Sequence, residues 1–108
     1  MKYFVADLAV FKVDTPYLFD KEGHQIYLSR IGDKVYGIAD KCPHMHTSLM
    51  KGSIEDGVIT CKSHGAKINL IDGEILERAH MGFIKLHTRR AKTYDVSIED
   101  EKVFIEIE

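Results

Sequence analysis

The sequence predicts a mostly-β fold, arranged as an antiparallel sandwich or a small barrel, and two features of the chain support this fold class. Short β-rich runs separated by turn residues occupy most of its 108 residues. Near the C-terminus, apolar and polar residues alternate with a period of two on both sides of Asp100 and Glu101, which is typical of a half-buried antiparallel hairpin. Only residues 74–80 have a helix-like composition, and so short a segment does not form a stable helix alone.

The individual strands follow from local signals. Gly32 and Asp33 form a two-residue hairpin signal between two β-rich runs, and Asp72 and Gly73 mark a turn after a shorter one. We expect strands over residues 3–13, 26–31, 34–39, 58–60, 68–71, 94–99 and 103–108. No linker, repeat or low-complexity stretch interrupts them, so we expect a single domain over residues 1–108. Because a small sheet scaffold fixes its loops, the loops should carry the chemistry.

Composition excludes several classes of protein. The chain has 15 Lys and Arg against 17 Asp and Glu, a net charge of −2, and therefore lacks the basic excess of a general nucleic-acid binder. No apolar run approaches the ~18–20 residues that span a bilayer. Asp7 comes too early for the apolar core of a signal peptide. We therefore expect a soluble, cytoplasmic protein with no membrane or nucleic-acid partner.

The two cysteines and some of the six histidines point to a metal. Cys42 and His44 form a C-x-H motif, and Cys61 and His64 form a C-x2-H motif after a gap at residues 45–60. Each half is a tight loop that offers one thiolate and one imidazole. A disulfide between Cys42 and Cys61 is the weaker alternative, because a reducing compartment opposes it.

The order of these ligands bears on which metal they bind. Structural zinc is the simplest interpretation of any set of two cysteines and two histidines, but zinc fingers usually place the two cysteines in one half-site and the two histidines in the other. Here each loop mixes the two types. That order favours a centre with two inequivalent metals, although a zinc-stabilised interaction module stays open as an alternative.

These residues resemble the ligand signature of a known family. Cys42-Pro43-His44, followed by Cys61-Lys62-Ser63-His64-Gly65, is similar to the signature of Rieske-type [2Fe–2S] proteins, in which two histidines replace two cysteines on one iron. Within this family, the two-cysteine form without a membrane anchor resembles the soluble archaeal Rieske-type ferredoxins, sulredoxin among them. The resemblance implies an antiparallel β-sandwich with a small cluster-binding subdomain, formed by two loops over about residues 40–73.

The resemblance also implies a ligand set and a cofactor, one Rieske-type [2Fe–2S] cluster per chain. Cys42 and Cys61 would hold the buried iron as thiolates, and His44 and His64 would hold the outer iron through neutral imidazoles. His46, two residues from His44, is expected to face solvent rather than bind iron. The implied function is that of a one-electron carrier that passes electrons from a reductase to an oxygenase or another oxidoreductase. Its contacts would be transient and the protein monomeric, with no catalytic residue and no substrate site of its own.

Departures from the family pattern refine the expectation. High-potential members have a disulfide between the loops, but the matching positions here are Thr47 and Ser63. Those members also have a serine and a tyrosine that donate hydrogen bonds to sulfur, where this chain has Ala66 and Ile68. We therefore expect a reduction potential in the low part of the Rieske range. Residues 79–90, which replace the family's proline-bearing loop, contain no proline.

One alternative function remains open besides the zinc module. The chain would then be a small subunit through which electrons enter a larger oxidoreductase complex, as in nitrite-reductase-type assemblies. No G-x-G-x-x-G motif occurs, so we do not expect the chain to take hydride from NADH unaided.

Overall fold

The structure is a computed structural model that describes residues 1–41, 48–62, 65–77, 80–81, 84–85 and 90–107. Its strands are β1 (Lys2–Asp7), β2 (Tyr17–Lys21), β3 (His24–Ile31), β4 (Lys34–Ala39), β5 (Ser53–Glu55), β6 (Val58–Thr60), β7 (Lys67–Asn69), β8 (Ile75–Glu77), β9 (His80–Met81), β10 (Ile84–Lys85), β11 (Thr93–Tyr94), β12 (Val96–Glu99) and β13 (Lys102–Glu106). Two short 3-10 helices span Leu8–Val10 and Leu49–Lys51. The predicted all-β class is confirmed.

The strands form three main antiparallel sheets. A terminal sheet has the order β1-β13-β12, a central sheet has the order β11-β4-β3-β2, and a small sheet has the order β5-β6-β7-β8. Strands β9 and β10 pair only with each other among the described strands. Across the described residues there is no helix with the length and apolarity to span a bilayer.

Strand β3 is the centre of the packing because both of its faces are buried. Ile26 and Leu28 belong to the core that the central sheet shares with the terminal sheet, where Val103 and Ile105 of β13 lie. Tyr27, on the opposite face, belongs to a second core that contains residues of the small sheet. The molecule therefore has three layers, with the central sheet in the middle and the two cores on either side of it.

The predicted hairpins are largely confirmed. Strands β3 and β4 pair from Ile26↔Ala39 to Ile31↔Lys34, and the turn between them begins with Gly32 at a φ of 62°. At the C-terminus β12 and β13 pair across Asp100 and Glu101, as the alternating pattern predicted. On β12 the apolar residues are half-buried and the polar ones exposed, so this period-two pattern reflects a sheet with one face in solvent.

The predicted strand over residues 94–99 is interrupted at Asp95. Tyr94 belongs to β11 and pairs with Gly37 of the central sheet, whereas Val96 begins β12 in the terminal sheet. The carbonyl of Asp95 accepts the backbone N–H of Glu106 at 2.9 Å. The chain therefore crosses between two sheets at a residue where the alternation of side chains continues, and the pattern does not reveal this crossing.

Other element bounds differ from the predictions for local reasons. The predicted strand over residues 3–13 ends at Asp7 and continues as a 3-10 helix. Strand β7 stops at Asn69, because the Asn69 side chain accepts the N–H of Ile71 at 2.9 Å and so stabilises a turn. The helix-like residues 74–80 contain strand β8 instead. Strands β2, β5, β9 and β10 were not predicted either.

Candidate metal centre

The structure describes the framework of the two predicted ligand loops and one of the four predicted ligands. Cys61 lies at the end of β6. Cys42, His44 and His64 lie outside the described residues. Outside them as well are His46, Thr47 and Ser63, so the predictions about these side chains stay predictions. The first loop begins after Lys41 and ends before Ser48, and the second begins after Lys62 and ends before Gly65.

Asp40 holds the two ends of the first loop together. Its backbone N–H donates to the carbonyl of Gln25 at 2.8 Å, which anchors it to β3. Its carboxylate accepts the hydroxyl of Ser48 at 2.6 Å and the N–H of Met50 at 3.1 Å. The side chain is only 6% exposed, and a charge-assisted bond to a buried carboxylate is stronger than a neutral one. The residue before the loop is thus fixed to the residues after it.

The loop continues into a capped 3-10 helix. Ser48 precedes this helix, and its hydroxyl accepts the N–H of Met50 at 3.3 Å. Leu49, the first residue of the helix, is fully buried in the same core as Cys61. The end of the first loop is therefore anchored in the core that contains the predicted cysteine ligand of the second loop.

The second loop is the tip of the β6–β7 hairpin. The N–H of Cys61 donates to the carbonyl of Ala66 at 2.8 Å, and the N–H of Gly65 donates to the carbonyl of Cys61 at 3.1 Å. These bonds extend the pairing beyond Thr60↔Lys67. The backbone of Cys61 is therefore held by the sheet rather than by the loop.

Gly52 brings the two loops close together. A Cβ atom at this position would lie 2.0 Å from the carbonyl oxygen of Thr60 and 3.3 Å from the backbone nitrogen of Lys62. The φ of Gly52 is −91°, a value that any residue can adopt, so the need for glycine here is steric. The backbone after the first loop therefore passes in direct contact with the backbone that leads into the second.

The environment of Cys61 suits a metal ligand. Cys61 is 1% exposed, belongs to the same core as Leu49, Ala66 and Ile68, and is a free cysteine, which favours a metal ligand over the alternative disulfide. An isolated thiolate would be costly in such apolar surroundings, whereas a metal compensates its charge. Within the described part of the chain, no group of three or more histidine, cysteine or carboxylate side chains forms another candidate metal site.

Tyr27 contributes an uncharged phenol to this core. It is 1% exposed, and burial, together with the negative charges of Asp40 and Asp14, raises its pKa well above the usual value near 10. The side chain is therefore neutral throughout the working pH range, and it adds bulk but no charge beneath the loops.

This shift predicts how stability depends on alkaline pH. In the unfolded chain Tyr27 loses its proton above about pH 10, whereas in the folded protein it keeps it, so the unfolded state binds fewer protons there. The free energy of unfolding should fall by up to about 1.4 kcal/mol per pH unit above pH 10 from this group alone. Urea denaturation at several pH values between 9 and 11 gives the free energy of unfolding. This free energy should fall less steeply with pH in Tyr27→Phe than in the unchanged protein. Equal slopes in the two proteins would contradict the assignment, and Tyr3→Phe serves as a control at a less buried tyrosine.

Asp40 and Gly52 were missed as residues of the site framework. The Asp40-Lys41-Cys42 sequence and the position of Ser48 before a short helix offered a weak signal, since aspartate and serine often bind nearby backbone N–H groups. For Gly52 no local signal exists. Its partner is the backbone of Thr60, and a glycine whose φ is ordinary looks like any loop glycine in the sequence.

The chain matches the model of a known protein family. The model of the Rieske [2Fe-2S] domain matches residues 1–88. The chain belongs to the Rieske [2Fe–2S] domain family. A Rieske-type [2Fe–2S] cluster is therefore its cofactor, as the resemblance implied, and this favours the cluster over structural zinc. The closer likeness to archaeal Rieske-type ferredoxins stays a prediction.

Some relatives of this Rieske domain are matched over most of their length, and others over only a small part of it. The 3-phenylpropionate/cinnamic acid dioxygenase ferredoxin subunit of Shigella boydii is 30% identical over 83 residues, which is 76% of this chain and 72% of the relative. Human apoptosis-inducing factor 3 is 30% identical over 81 residues, which is 75% of this chain but only 12% of the relative. The match also covers less than half of several other curated relatives.

A solved structure confirms the Rieske fold. A chain of the complex of reduced oxygenase and oxidized ferredoxin in carbazole 1,9a-dioxygenase superposes with a TM-score of 0.83. The alignment covers 96% of this chain and 100% of that one at 22% sequence identity, a likeness that concerns the fold.

Proposed function

We propose that this Rieske protein is a one-electron carrier that passes electrons from a reductase to an oxygenase or a related oxidoreductase. The observation that carries the proposal is the family match over residues 1–88 together with the placement of Cys61, a free and buried thiol that the β6–β7 pairing holds beside the second loop. Ferredoxin subunits of dioxygenases are among its relatives, and one of them is matched over 72% of its length. We place the carrier in the cytoplasm and treat residues 1–108 as one domain, since β1 pairs with β13.

We infer that Cys42, His44, Cys61 and His64 hold the cluster. When bound, the cluster supplies reversible one-electron chemistry, and the two neutral imidazoles make an added electron less costly than four thiolates would. The chain itself fixes the ligands. The β6–β7 pairing holds Cys61, Asp40 closes the loop that contains Cys42 and His44, and the contact at Gly52 keeps the two loops together.

The reduction potential should be low for a Rieske protein. Ala66 and Ile68 are both fully buried, so at these two positions apolar groups stand where a hydroxyl would offset negative charge on sulfur. With these donors absent, we propose a potential in the lower part of the Rieske range of about −150 to +300 mV. Electron delivery to an oxygenase suits such a value better than oxidation of a quinol does.

The alternative is a domain or small subunit through which electrons enter a larger oxidoreductase. It is favoured by the relatives that are much longer than this chain, such as the human protein of which the match covers 12%. In either case we propose that the chain has no substrate site and no catalytic residue of its own. Gel filtration of the protein from native cells separates the two cases, because only the subunit would elute with a permanent partner.

Visible absorption and EPR of the dithionite-reduced protein test the proposal. We expect a red-brown protein with two irons per chain and a reduced-state EPR signal whose average g value is below that of all-cysteine [2Fe–2S] ferredoxins, because two histidines ligate one iron. Metal analysis of the same sample is the control. A colourless, EPR-silent protein with stoichiometric zinc would contradict both the cluster and the electron-carrier function.

A further inference from the structure

A groove of about 530 Å³ lies beside the first ligand loop. Its walls come from the turn before β3, the end of β4, Ser48 and the start of β11. Lys41, which lines the groove, directly precedes Cys42, and Ser48 directly follows the first loop. The groove is therefore next to both ends of the loop that contains two of the proposed cluster ligands.

The accessible charges of this groove are positive. Lys41 and Lys92 line it and are both exposed. Asp40 is the acidic residue in its wall, but its carboxylate is buried and accepts hydrogen bonds from Ser48 and Met50. Met1 pairs with Glu106 and Lys2 with Glu99, and neither groove lysine forms an ion pair with a carboxylate that the structure describes.

A pair of rings forms the floor of the groove. The Tyr94 hydroxyl and the Nδ1 atom of His24 are 3.0 Å apart, and the two rings meet edge to face with centroids 5.9 Å apart. The Lys92 Nζ atom lies 5.0 Å from the centroid of the Tyr94 ring, within the range of a cation–π contact. Tyr94 is itself fixed by the pairing of β11 with β4. The Lys92 ammonium thus lies over a ring whose backbone is held in the central sheet.

We propose that this groove is the docking site for an acidic surface segment of the protein's redox partner, whose carboxylates pair with Lys41 and Lys92. The charge is local, because the whole chain carries −2. An acidic segment would find two cations there that form no ion pair with any carboxylate of the described residues, beside a loop that leads to the cluster. Complementary charge of this kind raises the association rate and sets the orientation of a transient complex. The proposal rests on the electron-carrier function.

A binding test that needs no electron transfer uses hexaglutamate as the probe. In NMR titrations of the purified protein at low salt, we expect amide shifts to concentrate at Gly23, Gln25 and Lys92. In the double variant Lys41→Glu/Lys92→Glu, binding should weaken by about tenfold or more. The matched control Lys12→Glu/Lys102→Glu changes the net charge equally at exposed lysines far from the groove, and it should alter binding by less than about threefold. Equal losses in the two variants, or shifts elsewhere on the surface, would overturn the proposal.

A kinetic test then connects the groove to electron transfer. In separate stopped-flow experiments, the reduced protein is oxidised by one of two small one-electron oxidants, anionic ferricyanide or cationic hexaammineruthenium(III), and the rate of electron transfer is measured. The groove variant should react more slowly with ferricyanide and faster with the ruthenium complex, by about tenfold each at low salt, and the control pair should change little. Identical rates in the two variants would reject the groove as a docking site while EPR still shows the cluster. A protein without the cluster would fail the function proposal instead, leaving the hexaglutamate result to decide on the groove.

Discussion

Replacing Cys61 with serine should remove the cluster. A serine hydroxyl stays protonated near neutral pH, whereas a cysteine thiol has a pKa near 8.5 and readily becomes the thiolate that binds iron. We expect the iron content to fall from about two atoms per chain to nearly none, with loss of the visible absorption and of the reduced-state EPR signal. Iron analysis of Cys61→Ser purified beside the unchanged protein measures this.

Serine also introduces a hydroxyl into an apolar core, which destabilises a protein by about 1–3 kcal/mol when the group is left without a partner. Ala91→Ser is the matched control, since it places the same hydroxyl on a buried residue of the same core that lies outside the ligand loops. This control should keep its iron. If both variants lose iron to the same extent, the loss comes from the fold, and Cys61 is not shown to be a ligand.

Replacing Gly52 with alanine should destabilise the protein by about 3 kcal/mol, the upper end of the usual cost of overpacking. The new methyl group would lie 2.0 Å from a backbone carbonyl oxygen, so either the exit of the first loop or the start of the second must move. We also expect faster loss of iron to a chelator, because the two loops would separate. Urea denaturation and the rate of bleaching with a chelator measure the two effects.

Gly23→Ala is the control for Gly52→Ala, because alanine at position 23 disfavours the backbone conformation without causing a steric clash. Gly23 has a φ of 79° but open space around its Cβ position, so alanine there pays only for the left-handed backbone, about 1–2 kcal/mol. Its rate of iron loss should match that of the unchanged protein. A Gly52→Ala protein with unchanged stability would show that the contact between the loops is looser than the structure has it.

The strands that sequence reasoning predicted well are those with strong local signals. The β3–β4 hairpin has a glycine where the turn needs a positive φ, and the terminal hairpin has one face in solvent, so its alternation is visible. Strand β2 also ends at a two-residue turn, formed by Glu22 and Gly23. The residues before this turn do not alternate cleanly, so the sequence pattern does not predict the strand. Local patterns thus identify hairpins more reliably than single edge strands.

The candidate site also has a part that the sequence predicted, the ligand motif, and a part that it did not, the framework around it. The spacing of the cysteines and histidines predicted a metal site in two tight loops, and the resemblance of this motif to the Rieske signature implied the family and the cofactor. The framework of the site could not be predicted in this way, since it depends on contacts between distant residues. The backbone of Gly52 lies against the backbone of Thr60. A Cβ atom at position 73 would lie 2.3 Å from the carbonyl oxygen of Ala91. Only the folded backbone brings these pairs together.

The two-sided burial of β3 has a consequence for how the molecule opens. The core beneath the ligand loops uses Tyr27, and the core of the sandwich uses Ile26 and Leu28, its immediate neighbours on the same strand. A fluctuation that separates the small sheet from β3 exposes one half of this strand's contacts and weakens its hold on the other half. The amide protons of β3 should therefore exchange only through unfolding of the whole molecule, as in the most protected parts of other proteins. Thermal opening of the core beneath the ligand loops is then governed by the stability of the whole molecule.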